Sequence, residues 1–510
     1  MNIAMLLDLV ADTFGERVAL TDDHKSLTYE QLRHLARSAG RSLRSEGAAT
    51  LAFADVSSAA VPTALFGAAW AGVSYAPLNF RLPVESLQAQ TARLDTPAVV
   101  ASTSLAAELS SGAEATSAWM ARLEAAGPAG PGERDGDGAF VPEPERPAVI
   151  LFTSGSSGSP KAALLGHENL MAYVMDTVEF AGAGEDEALV LAAPPFHIAG
   201  VAAVLSSVYS GRRLLPLPNF TPEGWLDRAR DHGATHAFVV PTMLARIVQC
   251  MDSDPSRRVP TLRSISYGGA RMSAPILERA LDLFPDVNFV NAYGLTETSS
   301  TIAVLGPEDH RAALGSAEPE VRRRLESVGQ PLPGVEVAIV EENGDALPLG
   351  ARGLIRVRGP QVSGEYLDSA AGVDDGGWLT TGDVGFVDQA GYLYVEGRAD
   401  DVIIRGGENL SPSEIEDSLL RHGAVQAAVV VGVPDPEWGE SVVAAVVLDP
   451  ATGGDPTGDV TAELVEWVRG SLGSLKAPGR IVVYDDLPTT ATGKLLRRVV
   501  RDELTPPPAQ

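Results

Sequence analysis

Cysteine is nearly absent from this chain of 510 residues, because Cys250 is the only one. A single thiol excludes an internal disulfide framework and a metal cluster held by several cysteine thiolates. The sequence therefore fits a protein that folds under reducing conditions, and we expect a cytoplasmic location.

Positive charge is also scarce, and lysine is scarcest. The chain has 39 Lys and Arg against 67 Asp and Glu, which gives a formal net charge of −28. Only Lys25, Lys161, Lys476 and Lys494 are lysines. Such a negative field repels nucleic acid and anionic lipid, so a nucleic-acid partner is not expected. A lysine inside a motif is correspondingly informative.

Long hydrophobic runs are missing as well. The longest apolar stretch covers residues 59–76 and is interrupted by Pro62, Gly67 and Gly72. It predicts a buried helix followed by a strand and no membrane span. The first twenty residues have apolar positions at helical spacing, but acidic Asp8 and the lack of a basic leader argue against a secretory signal. They predict an amphipathic helix of the mature fold.

Helical patterns alternate with short apolar runs through the first hundred residues and again from 149 to about 330. This alternation predicts α/β layers with a mainly parallel sheet. Residues 106–146 are rich in Ala, Gly, Ser, Glu and Pro, and predict a mobile surface excursion. Residues 335–396 predict a small β-rich subdomain, and a compact α+β domain of about a hundred residues follows.

The strongest local signal is a loop rich in glycine and serine that ends in a lysine. It follows the buried run AVILFT and reads Thr153, Ser154, Gly155, Ser156, Ser157, Gly158, Ser159, Pro160 and Lys161. Small residues let backbone N–H groups wrap around an anion, hydroxyls add donors, and lysine supplies charge. The spacing matches neither the G-x-x-x-x-G-K-[ST] phosphate loop nor the G-x-S-x-G elbow of serine hydrolases. Taken alone, the loop fits a phosphate cradle and a flexible linker about equally.

Four further motifs follow in order: YGLTE at 293–297, TGD at 381–383, GRAD at 397–400 and TGK at 492–494. Together the five motifs closely resemble those of the acyl-adenylate-forming superfamily, which includes acyl-CoA synthetases, stand-alone adenylation domains and firefly luciferase. The resemblance covers nearly the whole chain. It implies an α/β fold with a large N-terminal domain (1–399) that carries a small β-rich subdomain, and a small mobile α+β C-terminal domain (400–510). It also implies the use of ATP, Mg²⁺ and coenzyme A.

The resemblance implies a nucleotide site made of residues from these motifs. Tyr293 would stack on adenine, and the segment Gly268–Ala270 with Asn291 would line the base pocket. Glu297 would bind magnesium, and Thr296 would contact the α-phosphate. Asp383 would accept hydrogen bonds from the ribose hydroxyls beside Arg398. The set implied for nucleotide binding is Thr153, Ser154, Gly155, Ser156, Ser157, Gly158, Lys161, Gly269, Ala270, Asn291, Ala292, Tyr293, Gly294, Asp383 and Arg398.

The last two motifs imply that the C-terminal domain moves during the reaction. Lys494 resembles the catalytic lysine of the family, whose ammonium suits the charge that builds on the α-phosphate as pyrophosphate leaves. Asp400 matches the hinge, whose backbone would absorb a domain rotation. That rotation would replace Lys494 by Gly406 and Gly407, which let a slim pantetheine arm approach. The run GVPDPEWGE at 432–440 favours coenzyme A as the acceptor.

The segment PPFHIAG at 194–200 resembles the acid-binding motif of the family. His197 would guard the path to the carboxylate, and it is assigned to catalysis with Lys494, Glu297 and Thr296. Small residues, namely Ala199, Gly200 and Gly268, would leave room for a bulky or long apolar acyl group. Amino-acid-activating relatives carry an aspartate near this position, and this sequence shows none. The resemblance therefore implies a carboxylic acid without an α-amine.

The leading hypothesis is an AMP-forming acyl-CoA ligase: the acid and ATP give acyl-AMP, and coenzyme A then displaces AMP. One departure opens an alternative, because Ala162 and Ala163 follow the loop where the family usually has glycine, and Gly166 replaces a hydroxyl residue. An added β-carbon could restrict the loop and give an enzyme impaired in adenylation that thioesterifies preformed acyl-AMP. A module that loads a carrier protein and a silent acyl or nucleotide binder are further alternatives. The identity of the acid and the oligomeric state, a homo-oligomer included, stay open.

Overall fold

The computed structural model describes residues 1–23, 25–110, 112–126, 146–153, 160–368, 372–436, 438–449, 459–489 and 495–505. Within these ranges, no helix has both the length and the apolar character that crossing a membrane requires.

The helices and strands have the following bounds. The strands are β1 (Val18–Thr21), β2 (Ser26–Thr28), β3 (Thr50–Ala54), β4 (Ser74–Pro77), β5 (Pro97–Ala101), β6 (Glu114–Ala115), β7 (Val149–Thr153), β8 (Lys161–Leu165), β9 (Ala188–Leu191), β10 (Arg213–Pro216), β11 (His236–Val239), β12 (Ser264–Gly268), β13 (Asn288–Leu295), β14 (Ser300–Leu305), β15 (Gln330–Pro331), β16 (Glu336–Val340), β17 (Gly353–Arg358), β18 (Glu365–Tyr366), β19 (Leu379–Val387), β20 (Leu393–Arg398), β21 (Ile403–Arg405), β22 (Glu408–Leu410), β23 (Val425–Asp435), β24 (Gly439–Leu448) and β25 (Arg480–Val483). The α-helices are α1 (Ala4–Phe14), α2 (Tyr29–Ser45), α3 (Ala60–Ala71), α4 (Val84–Thr91), α5 (Thr103–Leu109), α6 (Thr116–Ala125), α7 (His167–Thr177), α8 (Ile198–Ser210), α9 (Pro222–Asp231), α10 (Pro241–Ser253), α11 (Ala274–Leu283), α12 (Pro307–Gly315), α13 (Pro319–Arg322), α14 (Pro412–Leu420), α15 (Asp459–Leu472) and α16 (Arg497–Leu504). Short 3₁₀ turns occupy Thr296–Thr298, Arg323–Glu326 and Ala399–Asp401.

Within the described ranges, the strands form four sheets. The largest has the order β15-β14-β13-β12-β11-β9-β10-β1-β2, and its strands from β13 to β1 run parallel. The second has the order β18-β8-β7-β4-β3-β5-β6, with a parallel part from β7 to β6. A small antiparallel sheet has the order β16-β17-β19-β20. The fourth sheet, β22-β21-β24-β23 with β25 beside β24, contains only strands after residue 402.

The two larger sheets share one apolar core. Phe53 and Leu151 of the second sheet belong to the same buried cluster as Leu189 and Leu214 of the first. Helices α1, α2, α3, α6, α7 and α8 supply most of the other residues of this cluster. Each such side chain contributes about 1.5–3 kcal/mol when fully buried. The shared core therefore fixes the position of one sheet relative to the other.

Several predicted elements are confirmed. Helix α1 is amphipathic and buries Leu6, Leu7 and Val10, and the stretch 59–76 forms α3 and β4. Helix α3 ends at Gly72, whose φ of 69° suits a glycine after a helix. The predicted β-rich region forms β16, β17, β19 and β20, and the C-terminal part forms its own mixed sheet with α14 and α15. The predicted α/β class is therefore correct.

The predicted surface excursion at 106–146 is wrong for its first part. Residues 103–125 form α5, β6 and α6, and β6 extends the second sheet by pairing with β5. Trp119 and Leu123 of α6 are buried in the main core. Alanine, which is frequent there, is the best helix former, so composition alone misled. Residues 127–145 lie outside the described residues.

Candidate active site

Several of the predicted site residues lie at one edge of the largest sheet. The neighbouring strands β13, β12, β11 and β9 are parallel, so their carboxyl ends meet at the same edge. Glu297 follows β13, Gly269 follows β12, Val240 follows β11 and His197 follows β9 after a short turn. Open α/β sheets bind ligands at this edge. Segments about a hundred residues apart in sequence thus converge on one site.

Tyr293, Asp383 and Arg398 form a hydrogen-bonded cluster. The Tyr293 hydroxyl donates to Asp383 Oδ2 at 2.6 Å, and Arg398 Nη1 donates to Asp383 Oδ1 at 3.1 Å. Asp383 lies opposite Arg398 in the β19–β20 pair, and only 6% of its surface is exposed. Burial, followed by the Asp383 charge, raises the pKa of the Tyr293 hydroxyl, so it stays a donor at neutral pH. A carboxylate has about four acceptor positions, so Asp383 keeps capacity for two ribose hydroxyls.

The segment Gly268–Ala270 runs beside Ala292 in the predicted base pocket. In the parallel β12–β13 pair, Gly268 lies opposite Ala292, and a Cβ at Gly268 would be 2.2 Å from the Ala292 carbonyl oxygen. Gly268 is therefore required for the close packing of β12 against β13. Its small size thus has a structural cause besides the predicted room for an acyl group. Asn291 donates its side-chain amide to the Ser327 carbonyl oxygen at 3.2 Å. Gly269 and Ala270 are exposed at the strand end.

The predicted phosphate loop connects two antiparallel strands. Thr153 ends β7, Lys161 begins β8, and the two residues are paired across the hairpin. Lys161 is exposed and Thr153 is half-buried. The remaining predicted members of the loop, residues 154–159, lie outside the described residues.

Ala162 and Ala163, which follow this loop, were expected to restrict it, but their position in the structure gives no reason for such an effect. Ala162 and Ala163 lie inside β8 opposite Phe152 and Leu151, and each side chain is 1% exposed. Their backbones have negative φ, so no glycine is required there. The expectation that their β-carbons restrict the loop is therefore wrong. Gly166 caps α7 through its backbone N–H, which donates to Asn169 Oδ1 at 3.1 Å.

Glu297 and Lys161 are connected through Tyr366, which sequence reasoning missed. The Tyr366 hydroxyl donates to Glu297 Oε1 at 2.8 Å. Lys161 Nζ lies 5.3 Å from the centre of the Tyr366 ring. Burial, followed by the Glu297 charge, raises the pKa of the Tyr366 hydroxyl. Thr296 precedes Glu297 in the same 3₁₀ turn. No local pattern marks Tyr366, because its partners come from distant strands.

The carboxylate of Glu297 and its surroundings fit a magnesium ion that binds together with a nucleotide. Among the described residues, no cluster of three or more His, Cys, Asp or Glu side chains could hold a metal by itself. Magnesium usually binds through one or two carboxylates plus substrate phosphates and water. One carboxylate held by a neutral tyrosine hydroxyl meets that requirement.

His197 stands at the start of α8, beside a small apolar cavity. Its Nδ1 accepts the Ala199 backbone N–H at 3.2 Å and caps the helix. The cavity encloses about 10 Å³ and is lined by Ala193, Pro194, His197, Ala199, Phe238, Val240 and Met243. It adjoins the base pocket, because a Cβ at Gly269 would lie 3.7 Å from a Val240 methyl. Gly200 has a packing role, since a Cβ there would be 2.3 Å from the Pro194 carbonyl oxygen.

A larger polar cleft of about 560 Å³ lies at the opposite edge of the sheet, at the amino ends of β9–β12. It is lined by Glu185, Asp186, Arg213, His232, Gly233, Thr235, Pro260, Thr261 and Arg263. Arg263 pairs with Asp186 at 2.6 Å, and Arg213 donates to the His232 carbonyl oxygen at 2.6 Å. None of the predicted site residues that the structure describes lines this cleft, so its size does not mark the active site.

Two family models match the chain. The one described as AMP-binding enzyme matches residues 7–367, and the one described as AMP-binding enzyme C-terminal domain matches residues 414–494. The chain belongs to the AMP-binding enzyme family. The resemblance inferred from the five motifs is thereby confirmed.

Named relatives of this AMP-binding enzyme cover nearly its full length. Feruloyl-CoA synthase of Amycolatopsis sp. is 33% identical, over 93% of this chain and 94% of its own. The fatty acid–[acyl-carrier-protein] ligase ScoC of Streptomyces coeruleorubidus is 32% identical, over 95% of this chain and 93% of its own. The solved o-succinylbenzoate CoA synthetase (MenE) of Bacillus subtilis, in complex with the acyl-adenylate intermediate OSB-AMP, has a TM-score of 0.82 at 27% identity and covers 98% of both chains. MenE has also been solved with ATP and magnesium.

In the C-terminal part of this AMP-binding enzyme, Gly406 and Gly407 form the tip of the β21–β22 hairpin. Their φ angles of 60° and 84° suit a two-residue turn that only glycine adopts readily. Asp400 is exposed in the 3₁₀ turn between β20 and β21. Lys494 lies outside the described residues. Helix α14 contacts the large domain through Asp417, whose Oδ2 is 2.6 Å from Arg271 Nη2.

Proposed function

We propose that this AMP-forming acid–CoA ligase activates an apolar or aromatic carboxylic acid that has no α-amino group. The acid attacks the α-phosphate of ATP, a carbon–oxygen–phosphorus link forms, and pyrophosphate leaves. The thiol of coenzyme A then attacks the acyl carbon, and AMP leaves. The observation that carries this proposal is a set of contacts between sheets: Tyr366 contacts both Lys161 and Glu297, and Tyr293 holds Asp383. The apolar cavity of His197 lies at the edge of the largest sheet where Glu297 follows β13.

The nucleoside end of ATP is assigned to the Tyr293–Asp383–Arg398 cluster. The Tyr293 ring offers a face to adenine, while its hydroxyl holds Asp383 in place. Asp383 accepts the ribose hydroxyls, and Arg398 orients the carboxylate by donating to its Oδ1. Backbone groups of Gly268–Ala270, with Asn291, Ala292 and Gly294 nearby, line the base pocket.

The phosphate end of ATP is assigned to Thr153, Lys161 and the loop between them. Glu297 would hold magnesium, which screens the phosphate charges and favours departure of pyrophosphate. Thr296 would donate its hydroxyl to the α-phosphate. These assignments place Lys161, one of only four lysines in a chain whose net charge is −28, where phosphate charge needs a cation.

The acid is assigned to the cavity beside His197. Its described lining contains His197 as the only ionisable side chain, so an ammonium group would find no carboxylate there. Phe238, Val240 and Met243 favour an apolar body. The enclosed 10 Å³ is smaller than any such acid, so binding must displace a side chain, and flexible Met243 is the best suited. The feruloyl-CoA synthase relative is consistent with an aromatic acid.

The second step is assigned to the C-terminal domain, residues 400–510, which would rotate about Asp400 relative to residues 1–399. Lys494 would serve adenylation, and the Gly406–Gly407 turn would admit the pantetheine arm afterwards. The CoA-ligase relatives favour coenzyme A as acceptor, whereas ScoC is named as a carrier-protein ligase. The strand positions of Ala162 and Ala163 also remove the argument for an enzyme impaired in adenylation.

Two half-reactions test the proposal separately. Exchange of labelled pyrophosphate into ATP, measured across a panel of aromatic and aliphatic acids, reports adenylation. Thioester formation from synthetic acyl-AMP, with coenzyme A or an acyl-carrier protein, reports transfer. We expect exchange with at least one acid and transfer to coenzyme A. Absence of exchange with every acid, despite transfer from acyl-AMP, would refute the two-step ligase. Transfer to the carrier protein alone would refute coenzyme A as the acceptor.

A further inference from the structure

The segment Gln361–Leu367, called the bridging segment below, connects the two larger sheets beside the active site. Gln361 is 1% exposed and donates its amide to the carbonyl oxygens of Thr298 and Thr301. Ser363 donates its backbone N–H to the Glu297 carbonyl oxygen at 2.9 Å and its hydroxyl to the Leu164 carbonyl oxygen. These bonds tie the turn that carries Glu297 to strand β8. The segment therefore sets the position of Glu297 relative to strand β8, which begins at Lys161.

Tyr366 is the residue of this segment whose side chain touches two predicted phosphate-site groups. Its backbone is fixed in β18, opposite Ala163 of β8. Its hydroxyl donates to Glu297 Oε1 at 2.8 Å, and its ring lies 5.3 Å from Lys161 Nζ. Both are recognised favourable interactions, a hydrogen bond to a charged acceptor and a cation–π contact. A single half-buried ring therefore contacts an anion at its hydroxyl end and a cation near its face.

The position of this ring matters because Lys161 and Glu297 carry opposite charges. A direct ion pair would occupy both groups before a nucleotide arrives, and ATP and magnesium would have to break it. Among the described residues, no ion pair joins Lys161 to Glu297, while Tyr366 contacts both. A neutral hydroxyl orients Glu297 without cancelling its charge, and an aromatic face holds the ammonium without accepting its proton.

We propose that Tyr366 is a positioning residue that orients Glu297 toward the magnesium of Mg–ATP and keeps Lys161 apart from that carboxylate. The proposal rests on the role assigned to Glu297 above. Residues that hydrogen-bond to a metal-binding side chain typically change metal affinity about 10- to 100-fold when mutated. Tyr366→Phe removes the hydroxyl and keeps the ring, so it should raise the magnesium requirement by about that factor. Tyr366→Leu also removes the contact to Lys161 and should weaken metal-free ATP binding as well.

Tyr392→Phe provides a matched control elsewhere in the large domain. The Tyr392 hydroxyl donates to Asp309 Oδ1 at 2.6 Å, so the substitution removes the same kind of bond to a carboxylate. Titration calorimetry with the non-hydrolysable analogue AMPCPP, with and without magnesium, measures the metal-dependent part of binding directly. Binding of AMP without metal reports the nucleoside end. Transfer from synthetic acyl-AMP to coenzyme A reports that the fold is intact.

In Tyr366→Phe, we expect the gain in AMPCPP affinity from magnesium to fall about 10- to 100-fold, while AMP binding and transfer stay at the wild-type level. In a Glu297→Gln background, Tyr366→Phe should add no further loss, because the hydroxyl acts through Glu297. An unchanged magnesium effect in Tyr366→Phe, or an equal effect in Tyr392→Phe, would overturn the proposal. Failure of the ligase assignment would give a different result: the wild-type protein would bind AMPCPP but would catalyse neither half-reaction.

Discussion

The contact between Asp417 and Arg271 predicts that pH shifts the arrangement of the two domains. Asp417 belongs to α14 of the C-terminal domain, and Arg271 directly follows the predicted base-pocket segment Gly268–Ala270. The Asp417 side chain is 18% exposed. The ion pair by itself would lower the pKa of this carboxyl. Burial outweighs it and raises the pKa of Asp417 to about 6.

The direction of the effect follows from comparing the contact with a rotated domain. If the C-terminal domain rotates about Asp400 as proposed, Asp417 leaves Arg271 and becomes exposed, and we expect its pKa to return to its ordinary 3.8. The contact therefore favours the protonated carboxyl, and this arrangement gains stability as the pH falls through about 6. When the pH falls from 8 to 5, these two pKa values shift the equilibrium between the rotated and the contacting arrangement about tenfold toward contact. This corresponds to about 1.4 kcal/mol.

Charged groups from both sides of the contact also act on the pKa of Asp417. Glu416 and Glu326 raise the pKa of Asp417, whereas Arg271 and Arg421 lower it, and none of them reverses the effect of burial. Asp417→Asn removes the titrating group while keeping its size. The variant should therefore lose this component of the pH dependence.

Contact quenching measures the arrangement directly, because Cys250 is the only cysteine of the chain. Its neighbour Gln249 lies across the domain contact, with its Oε1 3.4 Å from Gln426 Nε2. Bimane on Cys250 would be quenched by tryptophan in a Gln426→Trp variant when the domains touch. We expect quenching to increase as the pH falls from 8 to 5, and Asp417→Asn to flatten that increase. Quenching that falls with pH, or rises equally in Asp417→Asn, would refute the reasoning.

Three further substitutions test the assigned roles. Asp383→Asn should weaken AMP binding about 10- to 100-fold in calorimetry, because it loses the charge that Tyr293 and Arg398 hold in place; unchanged affinity would contradict the ribose assignment. Met243→Ala should raise kcat/KM about tenfold or more for bulkier acids in a graded series, since it enlarges the cavity, and an unchanged ranking of acids would exclude this cavity as the acyl site. Lys494→Ala should slow pyrophosphate exchange about 100-fold or more while sparing transfer from acyl-AMP, whereas equal losses in both steps would remove its adenylation role.

Much of the fold could be predicted from the sequence because its signals are local. The glycine breaks within 59–76 predicted a helix and a strand, and α3 and β4 form there. The five motifs also indicated the family, which the family models confirm. By contrast, Ala162 and Ala163 were expected to restrict the loop that they follow, because a sequence pattern does not show how a residue after a loop is paired. Their burial in β8 depends on pairing with β7.

Tyr366 and Asp417 could not be found from the sequence for a related reason. Neither belongs to a local pattern that distinguishes it from an ordinary strand or helix residue. Their importance comes from partners about 70 to 205 positions away for Tyr366, at Glu297 and Lys161, and 146 positions away for Asp417, at Arg271. Only tertiary packing brings such pairs together, so a single sequence carries no signal for them.

The two carboxylates assigned to ATP share one structural solution. Asp383 accepts a hydrogen bond from Tyr293 at 2.6 Å, and Glu297 accepts one from Tyr366 at 2.8 Å. In both pairs the donor is a neutral hydroxyl with a raised pKa, so it orients the carboxylate without neutralising it. Asp383 also pairs with Arg398, whereas Glu297 has no ion pair among the described residues, although the net charge of the chain is −28. Tyrosine donors therefore let an acidic protein keep Lys161 available for a strongly anionic substrate.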